Sequence, residues 1–472
     1  MSLGQSIRSG VKWLMVGRVG SRFMEFAFGV ILARLLVPAD FGMIVTIQIF
    51  TGFVGMFTSG GMGQSLIRAK TADEKDFTAV FTLQLAMGIA VYLLFFIAAP
   101  WIAHYFDNPL YTDLIRISAL SFLLRPFLVM RNAWLNREMQ FKSRSIVDVA
   151  GGFVTGLSGT LMAWAGLGVW SLTLSGLLAA LFKNVWLAKL TPLRLRLNPN
   201  FSIMRKHSAY GFKIVANDFV TYLRSESKSL LLSKLAGPAF LGLFNKAESM
   251  SRLPNQLMMS ATMEPVFRAM SKVQDDLDQT RYLFYRTITL LIVYTTPIYV
   301  LLWWIAEPFI GVVYGEKWVQ AGAPMAILSI AGPFLSVIFP CGTLLAAQNR
   351  LGQEMLAQSI NLLVIIAAAY IGLGWGLEGV AWGIVLSQVL LATHFYWLAH
   401  RALPTRIGDL IRATAPGLSL SALLCVVLFL IDLALGEHRS TAPATYLLIM
   451  SFCGGLFYAA AFLFIPIPAL RS

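Results

Sequence analysis

The chain has 472 residues, 57% hydrophobic and 13% charged, with a formal net charge of +14 and a mean hydropathy of +0.70. Soluble domains average about 25% charged residues, so this composition excludes an ordinary soluble enzyme or binding module and points to an all-α polytopic membrane protein. Cytoplasmic loops of such proteins carry excess Lys and Arg, which accounts for most of the positive balance and gives no reason to invoke nucleic acid.

About 20 apolar residues make a spanning helix. On that rule fourteen are predicted, at roughly 11–36, 39–61, 77–100, 112–132, 146–165, 168–190, 208–233, 239–262, 282–306, 321–346, 354–374, 378–400, 410–434 and 442–466. The first holds Arg18, Arg22 and Glu25 at i, i+4 and i+7, on one face. Both arginines lie in the first half of the span, where snorkelling to the inner headgroups competes with lining a polar cavity. No small-residue cleavage site follows, so no cleavable signal peptide is expected.

Loop charges set the orientation. With the N-terminus in the cytoplasm, the inner loops and their borders hold Arg68, Lys70 and Lys75, then Arg131, Arg137, Lys142 and Arg144, then Lys189, Arg194, Arg196, Arg205 and Lys206, and later Arg268, Lys272, Arg281, Arg350, Arg401, Arg406 and Arg412. The outer side holds fewer, Arg34, Arg116, Lys234, Lys317 and Arg439, and an even number of spans returns the C-terminus, with Arg471, to the cytoplasm. Trp101, Trp303, Trp304, Trp318 and Trp375 fall near predicted outer boundaries, as interfacial aromatics do. The outer loops are short, so no extramembrane domain is expected.

An internal repeat is visible. Leu32-Ala33-Arg34-Leu35, then Pro38-Ala39 and Gly42, match Leu232-Ser233-Lys234-Leu235, then Pro238-Ala239 and Gly242. Asp76 falls on Asp276 in the same register, and Trp170 and Ser175 are answered by Trp382 and Ser387. The repeat divides the chain into an N-lobe at 1–200, a C-lobe at 201–403 and two additional helices at 404–472. Six helices per unit make it a parallel repeat about an axis along the membrane normal. The basic segment Leu190–His207 joins the halves. It reads as a cytoplasmic linker, or as a contact for anionic headgroups or a lateral amphipathic helix.

The seventh span, Tyr210–Leu235, departs most from a greasy helix. Lys213, Asn217, Thr221, Arg224 and Lys228 share one face, with Asp218 at its edge and Glu226 turned away. A charge at the centre of a bilayer costs about 2.5–3.5 kcal/mol even on lenient scales, so that face must meet water, a partner charge or a charged ligand. The eighth span carries Lys246, Glu248 and Arg252, then Pro254, where a bend is expected, and Glu264 before Pro265. Two readings stand side by side. The cations pair internally, Glu248 with Arg252 most easily at i and i+4, or they line a cationic cavity for an anionic substrate. Arg18, Arg22, Arg224, Lys228, Lys246 and Arg252 outnumber Glu25, Asp218, Glu226 and Glu248, and an Arg fork suits phosphate oxygens. Glu25, Asp218, Glu248 and Glu264 are candidates for ion coupling.

No P-loop, HExxH, GxSxG or Cys/His metal set occurs. The five histidines have no metal spacing, and Cys341, Cys425 and Cys453 read as packing residues. No cofactor, no metal and no enzymatic activity are expected.

The run Leu32-Ala33-Arg34-Leu35-Leu36-Val37-Pro38-Ala39-Asp40-Phe41-Gly42, with Gly61-Met62-Gly63-Gln64-Ser65-Leu66-Ile67, Ala119-Leu120-Ser121-Phe122-Leu123 and Gly166-Leu167-Gly168-Val169-Trp170-Ser171-Leu172, resembles the Wzx-type polysaccharide-transport flippases of the multidrug/oligosaccharidyl-lipid/polysaccharide exporter superfamily. The resemblance covers most of the chain and weakens in the last two helices. It implies two six-helix lobes around a central cationic cavity. The implied activity is alternating-access movement of undecaprenyl-diphosphate-linked oligosaccharide across the bacterial inner membrane, for O-antigen, capsule or exopolysaccharide synthesis. A polysaccharide polymerase, a chain-length regulator and membrane lipids are the candidate partners. Two other readings remain open at this point. An ion-coupled multidrug-type exporter would want an acidic or aromatic cavity, and a membrane enzyme of polysaccharide assembly would want larger outer loops.

Overall fold

The computed structural model describes residues 3–464 apart from 60, 70 and 405; the side chains of 3–12, 14–16, 57–59, 209–218, 220, 221, 260, 261 and 264 lie outside that description. The described residues form helices and no strands, in two compact units, Met1–Gly242 and Leu243–Ser472.

The first unit contains α1 (Leu3–Leu35), α2 (Pro38–Ser59), α3 (Met62–Arg68), α4 (Glu74–Tyr105), α5 (Leu110–Ala119), α6 (Ser121–Arg137), α7 (Phe141–Trp164), α8 (Val169–Leu190) and the opening of α9 (Phe201–Lys272). The helix starts follow local chemistry. Pro38 takes the first position of α2, where a missing N–H costs nothing, and the Asp40 carboxylate accepts the Val37 amide at 3.2 Å. Asp73 caps α4 reciprocally with Asp76, at 3.3 and 3.1 Å. The span expected at 112–132 is divided at Leu120 into α5 and α6.

Small residues let α1 approach α7 closely. Gly17 faces Ser145, Gly20 faces Val149, and a Cβ on Gly156 would overlap the Phe28 ring. Arg18, Arg22 and Glu25 are left exposed. One core cluster stacks Phe95 on Phe122 with ring centroids 5.7 Å apart, over Leu114 and Ile115. Another gathers Phe77, Phe81 and Met130. Residues 191–200 carry no helix; their backbone is pinned where the Asn198 amide donates to Thr82 Oγ1 at 2.8 Å.

The opening of α9 is fastened to this unit along its length. His207 Nδ1 lies 2.8 Å from Ser65 Oγ, the Tyr222 hydroxyl donates to the Ile49 carbonyl at 2.7 Å, and Ser233 and Thr46 hydroxyls meet at 2.6 Å. The helix breaks at Gly237, whose φ of 84° lies in the left-handed region that favours glycine. Just beyond it, Gly242 and Gly42 make a reciprocal backbone contact. A Cβ on Gly42 would overlap the Pro238 carbonyl, and one on Gly242 the Pro38 carbonyl. The break in helical backbone geometry within α9 is at Gly237, 17 residues before Pro254. Proline removes one N–H but its fixed φ is helical, and neighbours in a packed membrane helix can serve the freed carbonyl.

The second unit continues α9 into α10 (Leu277–Tyr314), α11 (Gly322–Ser329), α12 (Gly332–Ala347), α13 (Leu351–Gly372), α14 (Gly376–Ala402), α15 (Ile407–Leu435), α16 (His438–Thr441) and α17 (Pro443–Phe464). Phe284, Ile288, Ile292, Cys341, Leu344 and Phe395 form its main core. The last long helices close on α10: Thr289 Oγ1 donates to the Ala413 carbonyl at 2.9 Å, and Leu424, Leu428, Tyr446 and Met450 pack around Ile305.

Among the described residues, eight helices are long and apolar enough to cross a membrane, or nine if the bent pair α11 and α12 is one span. The charged helices α1 and α9 are not among them. Leu448, Phe452, Leu456 and Leu463 of α17 are exposed, a greasy face that a water-soluble surface would not leave open.

Candidate functional site

The residues singled out by sequence divide between the two units. In the first, Arg22 Nη1 pairs with Glu25 Oε2 at 3.0 Å, with both side chains largely exposed, and Arg18 is exposed beside them. Arg224 and Lys228 lie on α9 before its break. Arg224 is half-buried, whereas Lys228 is 4% exposed and donates through Nζ to the Ser225 carbonyl at 3.1 Å. The side chains of Lys213, Asn217, Asp218 and Thr221 lie outside the described residues.

In the second unit, Arg252 Nη2 meets Glu248 Oε1 at 2.7 Å, the i, i+4 pair that the spacing anticipates. Glu248 is buried. Lys246 extends its ammonium over two rings, 4.5 Å from the Tyr314 centroid and 5.2 Å from that of Trp318, a cation–π cradle. Trp318 is therefore no interfacial aromatic: it is completely buried, while Trp101 and Trp375 are exposed. Beyond Arg252 a chain of polar groups continues, with Asn255 donating to the Gly332 carbonyl at 3.3 Å and Ser336 linking Asn255, at 3.3 Å, to Thr295, at 3.0 Å. The Glu264 side chain lies outside the described residues.

Arg125, Asp148 and Lys183 are further charges within predicted spans. Arg125 of α6 reaches α2, where a Cβ on Gly55 would overlap its guanidinium; Gly52, one turn earlier on α2, faces the Tyr222 ring. Lys183 of α8 pairs with Asp148 of α7 at 3.3 Å, its stem lying against Gly151. Their signal was the same as for α9, a charge inside an apolar window. At the start of α9, His207 is buried. Burial pushes its pKa down, with Asp76 at 3.7 Å opposing weakly. Among the described residues no group of three or more His, Cys, Asp or Glu is arranged to hold a metal ion.

Chemically, both units keep cations in dry or half-dry positions, some neutralised by carboxylates and some held by rings or carbonyls. Such groups can exchange internal contacts for the oxygens of an anionic ligand.

Solved structures with the same fold include the lipid II flippase MurJ in an inward closed conformation, with a TM-score of 0.75 at 16% identity, covering 96% of this chain and 98% of that one. A multidrug resistance MATE family transporter of the MOP superfamily, inward-facing, aligns with a TM-score of 0.66 at 14% identity over 81% of this chain and 94% of that one. Among curated proteins, the chain is 23% identical over 397 residues to the lipopolysaccharide biosynthesis protein WzxC of Escherichia coli (strain K12), covering 83% of this chain and 80% of that protein. It is 22% identical over 444 residues to the succinoglycan biosynthesis transport protein ExoT of Rhizobium meliloti (strain 1021), covering 93% and 89%. The polysaccharide biosynthesis protein family matches residues 31–323, more than half of the sequence, and the chain belongs to that family.

Proposed function

We propose that this protein is a flippase that moves an undecaprenyl-diphosphate-linked oligosaccharide across the bacterial inner membrane by alternating access, for surface polysaccharide synthesis. The observation that carries the reading is the placement of cations inside an otherwise apolar helical protein, with Lys228 4% exposed and Lys246 enclosed by Tyr314 and Trp318. Buried cations are expensive in a membrane and mark paths for charged ligands. The relatives whose names specify transport or lipopolysaccharide synthesis, at 22% and 23% identity, support the same substrate class.

In this reading Arg18, Arg22, Arg224, Lys228, Lys246 and Arg252 serve the diphosphate as it passes. Glu25, Asp218, Glu248 and Glu264 are the carboxylates available to couple an ion. The chain crosses the membrane fourteen times with both termini in the cytoplasm, and a polysaccharide polymerase and chain-length regulator act on the product outside. The protein itself makes and breaks no covalent bond.

The test is a lipid extract from a strain lacking the protein. The expected result is accumulation of a polyprenyl-diphosphate oligosaccharide together with loss of surface polysaccharide. Normal polysaccharide with no accumulated intermediate would overturn the reading.

A further inference from the structure

The second unit holds a cavity of about 790 Å³ between the beginnings of α10 and α15, lined by none of the residues assigned to the substrate or to ion coupling above. Four arginines line it: Arg281, Arg286, Arg406 and Arg412. Two carboxylates share the lining, Asp278 and Asp409, and both are engaged. Asp278 pairs with Arg281 at 3.2 Å, and Asp409 accepts the Arg406 backbone amide at 3.0 Å. Among the described residues, Arg286, Arg406 and Arg412 have no carboxylate partner, so the lining keeps a positive surplus.

Arg281, Arg286 and the backbone of Arg406 are held in place. Arg281 donates through Nη2 to the Pro404 carbonyl at 2.7 Å, which ties the loop before α15 to α10. Its Nε is buried with no hydrogen-bond partner, a donor that a ligand oxygen would satisfy. Arg286 hydrogen-bonds the Tyr282 hydroxyl and lies 5.5 Å from the centre of that ring. The hydroxyls of Tyr285 and Tyr396 meet at 3.0 Å, and Tyr396 donates to the Arg406 carbonyl at 3.3 Å, which fixes the backbone that carries Arg406.

Position decides the ligand class. Both helices are apolar and membrane-length, and the cavity lies at their first turns, on the side the charge bias assigns to the cytoplasm. Its charged mouth leads down to Thr289 and Ala413, where α10 and α15 touch. Arginines gathered at the first turns of two apolar, membrane-length helices fit an amphiphile with a phosphate head and hydrocarbon tail. We propose that this cavity binds the phosphodiester headgroup of an anionic membrane glycerophospholipid, with its acyl chains along the outer faces of α10 and α15. The site does not depend on the proposed transport activity.

The test is native mass spectrometry of the full-length protein in neutral detergent, titrated with phosphatidylglycerol or with phosphatidylcholine. The wild type should retain phosphatidylglycerol with about tenfold or greater preference, and R406Q/R412Q should lose that preference, as expected when charge-assisted contacts are removed. R286Q provides a second variant in case the first does not fold, and circular dichroism checks both. Equal retention of the two lipids by wild type, or unchanged preference in a folded variant, would overturn the proposal. Two competition arms separate other sources of the same chemistry. Displacement of the lipid by millimolar inorganic phosphate would replace the lipid with a free anion. Preferential capture of polyprenyl diphosphate would replace the glycerophospholipid with the substrate. Either result would overturn the proposal as stated.

Discussion

Helix α9 carries cations on both sides of its break at Gly237, and the two sides hold them differently. Before the break, the buried fastenings are uncharged, Tyr222 to Ile49 and Ser233 to Thr46, Lys228 caps a carbonyl of its own helix, and the ion pair of Lys234 with Asp107 at 3.0 Å lies at the surface. After the break, charge itself joins the structure: Arg252 is clamped by buried Glu248, and Lys246 is packed on two aromatic rings. The α1 pair Arg22–Glu25 has similar spacing but lies in the open. Similar sequence patterns, i, i+3 in α1 and i, i+4 in α9, therefore have unequal energetic weight, set by burial. An exposed ion pair contributes about 0–1 kcal/mol, whereas breaking a buried one leaves an uncompensated charge and costs about 3–5 kcal/mol.

The largest effect should come from Glu248→Gln. Because Arg252 keeps 39% of its side chain exposed, the expected loss falls below that range, about 2–3 kcal/mol, read as a drop in thermal unfolding temperature in detergent. A loss no larger than that of an α1 variant would erase the contrast. Next is Ser233→Ala, which leaves the Thr46 hydroxyl without its 2.6 Å partner and should cost about 1 kcal/mol.

His207 gives a pH-dependent version of the same comparison. Burial lowers its folded-state pKa, so the folded protein prefers the neutral ring. Its contribution is fully present above the ordinary value of about 6.5. It falls as pH drops from there toward the folded-state pKa, where the unfolded chain binds the extra proton. His207→Gln should flatten the acid side of the stability curve below about pH 6.5; an unchanged curve would remove His207 from the account. The smallest effect belongs to Arg22→Gln and Glu25→Gln, each within about 0.5 kcal/mol of wild type, so any change in transport in these variants is separable from folding.

Much of this was legible in the chain. The apolar windows mark many of the membrane helices, and i, i+4 spacing anticipates Glu248–Arg252, whereas the Arg22–Glu25 pair was not foreseen from the shared face of Arg18, Arg22 and Glu25. What spacing cannot carry is contact between distant positions. The Thr46–Ser233 bond joins residues 187 apart, so the attachment of early α9 to the first unit left no local trace. The cradle of Lys246 was hidden for the same reason, and Trp318 was read as an interfacial residue because its neighbours suggest a boundary while its burial is tertiary. Arg125, Asp148 and Lys183 were visible as charges inside spans, yet nothing in their local spacing linked Lys183 to Asp148. The non-helical residue of α9 is Gly237, not Pro254, and a glycine free to take a left-handed φ gives less sequence signal than a proline.

The central claim is that cations of α9 carry the diphosphate of a lipid-linked substrate. It is tested most directly by flipping of a polyprenyl-diphosphate oligosaccharide in proteoliposomes containing Arg224→Ala/Lys228→Ala, with folding verified by thermal unfolding. The prediction is a fall of at least about tenfold for each lost charge-assisted contact. Flipping at the wild-type rate by a folded double variant would contradict it.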